Sequence, residues 1–138
     1  MMIKYENNFE DAKMVREQVF MQEQGFENEF DEIDQKAVHV TIYEQGNVVG
    51  CARTYTEENE NEIHIGRIAI LKPYRHLGYG SKIVKACESQ YDSQMVDFIL
   101  SSQYDKRAFY QSLGYQERGD IYLDEMVPHI EMIKKHKD

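Results

Sequence analysis

The sequence predicts an α/β (α+β) fold with one main mixed sheet, and three observations carry that prediction. Period-two apolar runs alternate with three stretches of helical spacing, in the order strand, helix, a run of antiparallel strands, helix, strand, helix, strand. The most apolar run, "EIHIGRIAIL", falls mid-chain and suits a central strand. The chain has 138 residues, two prolines, no internal repeat and no low-complexity linker, so residues 1–138 read as a single domain.

"MIKYE" alternates as a first strand, after which Asn8 stands where a side-chain cap can open a helix with Phe9, Ala12, Val15, Val19 and Phe20 on one face. Residues 23–34 are acid-rich and lack a sustained period, which predicts loop and short helix. "AVHVTIYE" and "VVGCARTYT" flank Gln45, Gly46 and Asn47, a connection that reads as a hairpin. A polar turn over residues 57–61 leads into the central strand. Beyond it, Leu77, Ile83, Val84, Cys87 and Tyr91 suit one face of a second helix, with Lys82, Lys85 and Glu88 mostly in solvent. "MVDFILSS" is the next strand, "KRAFYQSLGY" a short helix closed by a left-handed Gly114, and "IYLDEMVPHIEMIKK" one or two last strands.

Composition narrows the function classes. Asp and Glu total 25 against 16 Lys and Arg, a net charge of −9, and the acids fall in runs such as "ENEFDEID" and "EENENE", which disfavours nucleic acid as a partner. No stretch approaches the roughly 18 apolar residues of a membrane span, and "MMIKYENNFEDAK" has no apolar core behind a basic end. A soluble cytoplasmic protein is expected, monomer or homodimer, with no membrane partner. Cys51 and Cys87 sit inside apolar patterns and read as small buried hydrophobes, and no Cys or His spacing suits a metal site.

One stretch departs from this acidity. "PYRHLGYG" holds an arginine and two spaced glycines with no acid, between the central strand and the second helix. A helix start presents unpaired N–H groups and a partly positive dipole end, and glycines leave an anion free to approach them. With Arg75 and Lys72 adding charge, the expected ligand is a phosphate, most simply a pyrophosphate; the other reading of two glycines alone is a tight turn with solvated basic residues. The nucleotide P-loop is excluded because no Gly-Lys-Ser/Thr is present, and the dinucleotide fingerprint fails at Pro73 and Tyr74.

The segment "IGRIAILKPYRHLGYGSKIVKACE" resembles the coenzyme A motif of the GNAT superfamily of N-acetyltransferases, Arg/Gln-x-x-Gly-x-Gly/Ala, which Arg75, Gly78 and Gly80 fill. "NVVGCARTY" is similar to the preceding family strand, and "FYQSLGY" to the later Phe-Tyr-x-x-x-Gly-Phe/Tyr segment. "VFMQEQGFENEFDEID" and "DEMVPHIEM" resemble a small uncharacterised bacterial subgroup, so the resemblance spans nearly the whole chain.

That resemblance implies a mostly antiparallel sheet splayed between its fourth and fifth strands, with the pantetheine arm of acetyl-CoA in the opening. It implies that the backbone of Ile68, Ala69 and Ile70 holds the pantetheine, and that the amides of Arg75, His76, Leu77, Gly78, Tyr79, Gly80 and Ser81 hold the pyrophosphate. Gln103 joins the cofactor site where many members carry Asn, and Lys106 replaces a frequent alanine. Tyr110 takes the place of the hydroxyl donor to the departing thiolate.

The implied activity is acetyl-CoA-dependent N-acetyl transfer to a small amine, by direct attack in a ternary complex and without a metal. An alkyl amine is mostly protonated at neutral pH, so a base is needed; Glu23 and His129 are the leading candidates and His64 a weaker one. The acid runs over residues 27–34 and 57–62 read either as solvated loops or as a field that draws in a cationic amine. The alternative function is a non-catalytic acyl-CoA-binding module that recognises a basic protein partner; Tyr110 favours the enzyme.

Overall fold

The computed structural model describes residues 1–27 and 29–136. Strand β1 (Met2–Lys4) leads to α1 (Phe9–Arg16), which continues as a π-helical segment (Glu17–Glu23), and α2 (Ile33–Lys36) follows. Next come β2 (Val38–Glu44), β3 (Asn47–Tyr55) and β4 (Glu62–Ile70), then a 3₁₀ turn (Lys72–Tyr74) and α3 (Tyr79–Ser89). The chain ends with β5 (Asp97–Gln103), a second 3₁₀ turn (Tyr104–Lys106), α4 (Arg107–Ser112), β6 (Gln116–Asp124) and β7 (Val127–Lys134). The seven strands form one sheet in the order β1-β2-β3-β4-β5-β7-β6, antiparallel except for β4 with β5.

The expected hairpin forms at Gln45 and Gly46, both with positive φ (51° and 81°), the backbone that a two-residue turn between twisted strands requires. Gly114, at φ 98°, closes the helix after β5 as expected. The tail resolves into two strands rather than one.

Three expectations need correction. Asn8 occupies the N-cap position, but its side chain makes no cap bond; it is buried and donates to the carbonyls of Lys4 and His39 and to Thr41, tying the helix start to β2. The first helix does not run evenly through Phe20: from Glu17 it widens, Gln24 N–H reaching the Val19 carbonyl, and Phe20 stacks on Phe26. Leu77 lies before α3 and is exposed, and Tyr91 lies beyond its end with its hydroxyl bonded to Thr54, so only Ile83, Val84 and Cys87 of that set build the buried face.

The core has two parts, one on each sheet face. Ile83, Val84 and Cys87 of α3 pack on Val40, Ile65 and Leu100, while Ala12, Val15 and Val19 pack on Cys51 and Ala69. Neighbours Cys51 and Ala52 fall in different parts, as strand alternation demands. Both cysteines are free and fully buried, and burial pushes their thiols up, Cys51 to about 12, so they are inert packing groups.

Two irregularities prepare the site. Pairing of β4 with β5 runs only from Glu62↔Asp97 to Ile65↔Leu100; beyond it the strands part, β4 staying with β3 and β5 with β7. At the parting point β4 carries one residue more than β3, and Arg67 takes φ 51° in the bulge, an arrangement that costs a β-carbon-bearing residue about 1–2 kcal/mol.

Candidate active site

The parted strands open a cleft of about 590 Å³ that runs from the loop before α3 to β7. At the α3 end the cleft offers backbone groups. Past Ile65 the β4 edge has lost its β5 partner, so part of the polar backbone of Ile68, Ala69 and Ile70 faces the cleft rather than a neighbouring strand. Gly78 is the N-cap of α3 at φ 91°, and the first amides of the helix, Tyr79, Gly80 and Ser81, have no acceptor one turn back. The amides of His76, Leu77 and Gly78 donate to no backbone acceptor among the described residues.

The Arg75 amide differs from that set. It donates to the Lys72 carbonyl at 3.3 Å, while its side chain donates from Nε to the Ile70 carbonyl and from both terminal nitrogens to Glu23 at 2.6 and 2.7 Å. Arg75 therefore braces the loop through its side chain.

The two glycines answer to different constraints. A β-carbon on Gly78 would meet nothing within 4 Å, so that position is set by its left-handed backbone. A β-carbon on Gly80 would come within 3.2 Å of the Phe109 ring, so that position is set by the contact between α3 and α4.

At the other end the cleft presents charged and polar side chains. Arg16 and Arg53, buried to 1% and 3% exposure, meet the acids of residues 29–34: Arg16 bonds Glu29 at 2.8 Å and Asp34 at 2.7 Å, and Arg53 bonds Asp31 at 2.6 Å and Asp34 at 2.8 Å. Arg67, reaching in from the bulge, adds contacts to Glu29 and Asp31. Burial alone raises the Asp34 carboxyl, but bonds from Arg16 and the Asp31 amide outweigh it and bring it down to about 2. For Glu29 burial wins and holds the carboxyl above its usual range, against Arg67 and Arg16. The acid run is thus neither a solvated loop nor a free negative field at residues 29, 31 and 34; three guanidiniums match three carboxylates. A charged residue inside an apolar strand, as in "VVGCARTY" and "EIHIGRIAIL", was the sequence signal for such pairing.

Tyr110, His129, His64, Glu23 and Gln103 all line this one cleft. Tyr110 packs edge-on against Phe109 and Tyr115, and burial pushes its phenol up to about 12, so it stays protonated far above neutral pH. The buried His129 has Nδ1 2.8 Å from the Val127 carbonyl; Nδ1 must donate there, which leaves Nε2 as the ring's acceptor. Tyr122 stacks on His129 and shares a hydrogen bond with Ser101. Glu23 is committed to Arg75, whose bonds lower its carboxyl below the usual range and make it a weaker base. His64 stacks on Tyr55, and the Gln103 amide donates to Gln24. Arg53, Arg67, Ser101 and Tyr122 are cleft residues that motif reading did not single out.

The same architecture recurs in solved acyltransferases. An acyl-CoA N-acyltransferase from Pseudomonas aeruginosa superposes with a TM-score of 0.84 at 20% identity over 96% of this chain and 97% of its own. An aminoglycoside 6'-N-acetyltransferase complexed with coenzyme A superposes with a TM-score of 0.77 at 15% identity over 98% and 97% of the two chains. The fold is therefore that of the acyl-CoA N-acyltransferases. Residues 6–136 match the acetyltransferase (GNAT) domain family, and the chain belongs to it. The N-acetyltransferase YjcF of Bacillus subtilis (strain 168), itself uncharacterized, is 34% identical over 135 residues, 95% of each chain. This protein is accordingly an acyltransferase of the acetyl-CoA-dependent kind. Among the described residues no helix is long and apolar enough to cross a membrane.

Proposed function

We propose that this chain moves an acetyl group from acetyl-CoA to a small amine by direct attack within a ternary complex. The observation that carries this reading is that Tyr110 and His129 line one cleft, opened where β4 leaves β5. The residues present suit acetyl-CoA as co-substrate. The backbone of residues 68–70 that β5 leaves unpaired, apart from the Ile70 carbonyl held by Arg75, suits the amides of a pantetheine arm, and the amides of His76, Leu77, Gly78, Tyr79, Gly80 and Ser81 are donors available to a pyrophosphate. Gln103 at the end of β5 borders the same opening.

His129 accepts a proton from the incoming ammonium at Nε2, its orientation held by the Val127 carbonyl. The resulting amine attacks the thioester carbon. Tyr110, protonated and short of hydrogen-bond partners among the described residues, donates to the leaving sulfur. Glu23 serves in this scheme as the brace of Arg75 rather than as the base, and no cysteine takes the acyl group because both thiols are buried and protonated.

CoA release from acetyl-CoA against a panel of amines, compared with plain acetyl-CoA binding, tests the reading. Turnover that His129→Gln lowers by about 10²–10⁴-fold is the expected result. Binding without turnover for every amine would leave an acyl-CoA-binding module instead.

A further inference from the structure

The acceptor end of the cleft presents different groups on its two walls, a guanidinium donor edge on one and a carboxylate on the other. One wall is the β4 bulge. There Arg67, its side chain 26% exposed, gives Nε to the Glu29 carbonyl and carboxylate and reaches Asp31 with Nη2 at 3.4 Å, while Nη1 has no partner among the described residues. Behind it Arg16 and Arg53 already balance two of the three acids, so Arg67 closes the count at three against three and still presents a free donor edge. The other wall is β6 and β7. It brings His129, Tyr122 and the Asp124 carboxylate, which has no partner among the described residues, to the same space.

We propose that the acceptor carries a carboxylate as well as its amine, and that Arg67 is the specificity residue that reads that carboxylate through its free guanidinium edge. This rests on the acetyl-transfer reading above. The amine lies at the His129 and Asp124 wall, where an ammonium finds a carboxylate before it loses its proton, and the anionic end lies against Arg67. β4 and β7 are two strand spacings apart, roughly 10 Å before the splay widens them. The two groups of the acceptor are therefore separated by several bonds, as in an ω-amino acid or the side-chain amine of an amino acid. The left-handed backbone of Arg67 fits this role, because the bulge turns the side chain at the parting point into the cleft and onto Glu29.

Paired substrates that differ only in the carboxylate test the proposal: 6-aminohexanoate with pentylamine, and 4-aminobutyrate with propylamine, by CoA release from acetyl-CoA. The parent is expected to favour the longer acid over its partner amine at least tenfold in kcat/KM, mainly through KM. Arg67→Gln should reduce that preference by about 10- to 100-fold, the range for loss of a charge-assisted hydrogen bond, while the kcat/KM for pentylamine stays within about threefold. Arg67→Lys keeps the charge and should keep part of the preference. A parent that prefers the plain amine, or an Arg67→Gln enzyme that loses both substrates equally, overturns the proposal; the second result marks Arg67 as structural. If Arg67→Gln does not fold, the parent ratio and the Lys variant decide on the same terms. Release with pentylamine but no preference overturns this inference alone, whereas no release with any amine overturns the transfer reading and this inference with it.

Discussion

The two ends of the cleft are built by different means. The α3 end uses peptide groups: a helix start, a left-handed glycine and a strand edge deprived of its neighbour. The β6–β7 and bulge end uses side chains drawn from α1, the acid-rich loop, β3, β4 and β7. Peptide groups are the same in every residue, so the first end can hold a ligand common to a family while the sequence around it changes. Side chains carry individual chemistry, so the second end is where one member differs from another.

Substitutions can break that contrast at points of decreasing leverage. Tyr110→Phe removes one hydroxyl from the cleft lining; turnover should fall by about 10²–10⁴-fold while acetyl-CoA affinity, measured by calorimetry, changes little. The loss should be smaller with an acyl donor whose thiol is more acidic. Equal single-turnover rates in folded parent and variant would remove Tyr110 from the chemistry.

Arg16→Met attacks the side-chain end through its foundation. It leaves Glu29 and Asp34 short of a buried partner and should cost about 3–5 kcal/mol of stability in denaturant unfolding. A cost below about 1 kcal/mol would mean that the network relaxes onto Arg53 and Arg67.

Gly78→Ala probes the backbone end. No atom stands in the way of the added methyl, so the penalty is the left-handed backbone alone, about 1–2 kcal/mol, shared between stability and cofactor binding. Gly78→Glu adds a carboxylate against the phosphates and should weaken CoA binding further; unchanged affinity in a folded variant would count against the loop as the phosphate site.

The smallest effect is one of pH. Asp34 has its folded value depressed to about 2, so the stability it contributes is present above its unfolded value near 4 and is lost as pH falls from there toward 2. Thermal unfolding of Asp34→Asn should therefore match the parent more closely at pH 2.5 than at pH 6. A gap that stays constant over that range would show that the carboxylate contributes through packing rather than charge.

The same contrast explains what was legible in the sequence. Strand alternation, the Gln45-Gly46 turn and the Arg75-x-x-Gly78-x-Gly80 loop could be read directly, because each is a local requirement on φ or on side-chain alternation. The pairing of Arg16 with Glu29 and Asp34 could not, because nothing in residue 16 names partners 13 and 18 positions away; only a guanidinium amid buried positions hinted that acids must come to it. Asn8 misled for a related reason. Its type suits a cap, and the competing bonds to Lys4, His39 and Thr41 exist only once β2 is in place. His129 was visible as a candidate by position, but its tautomer depended on the Val127 carbonyl.

The contact between Gly80 and Phe109 bears on how this loop can drift over generations. A methyl at residue 80 would need the ring to yield by only a few tenths of an ångström, and Phe109, 38% exposed, has room to swing. Alanine at 80 is thus reachable in one neutral step, or made easier by a prior reduction at 109, and the two positions should covary among relatives. Residue 78 has no such partner: its constraint is torsional, so no single neighbouring change removes the penalty, and a replacement there must be offset by stability gained elsewhere in the chain.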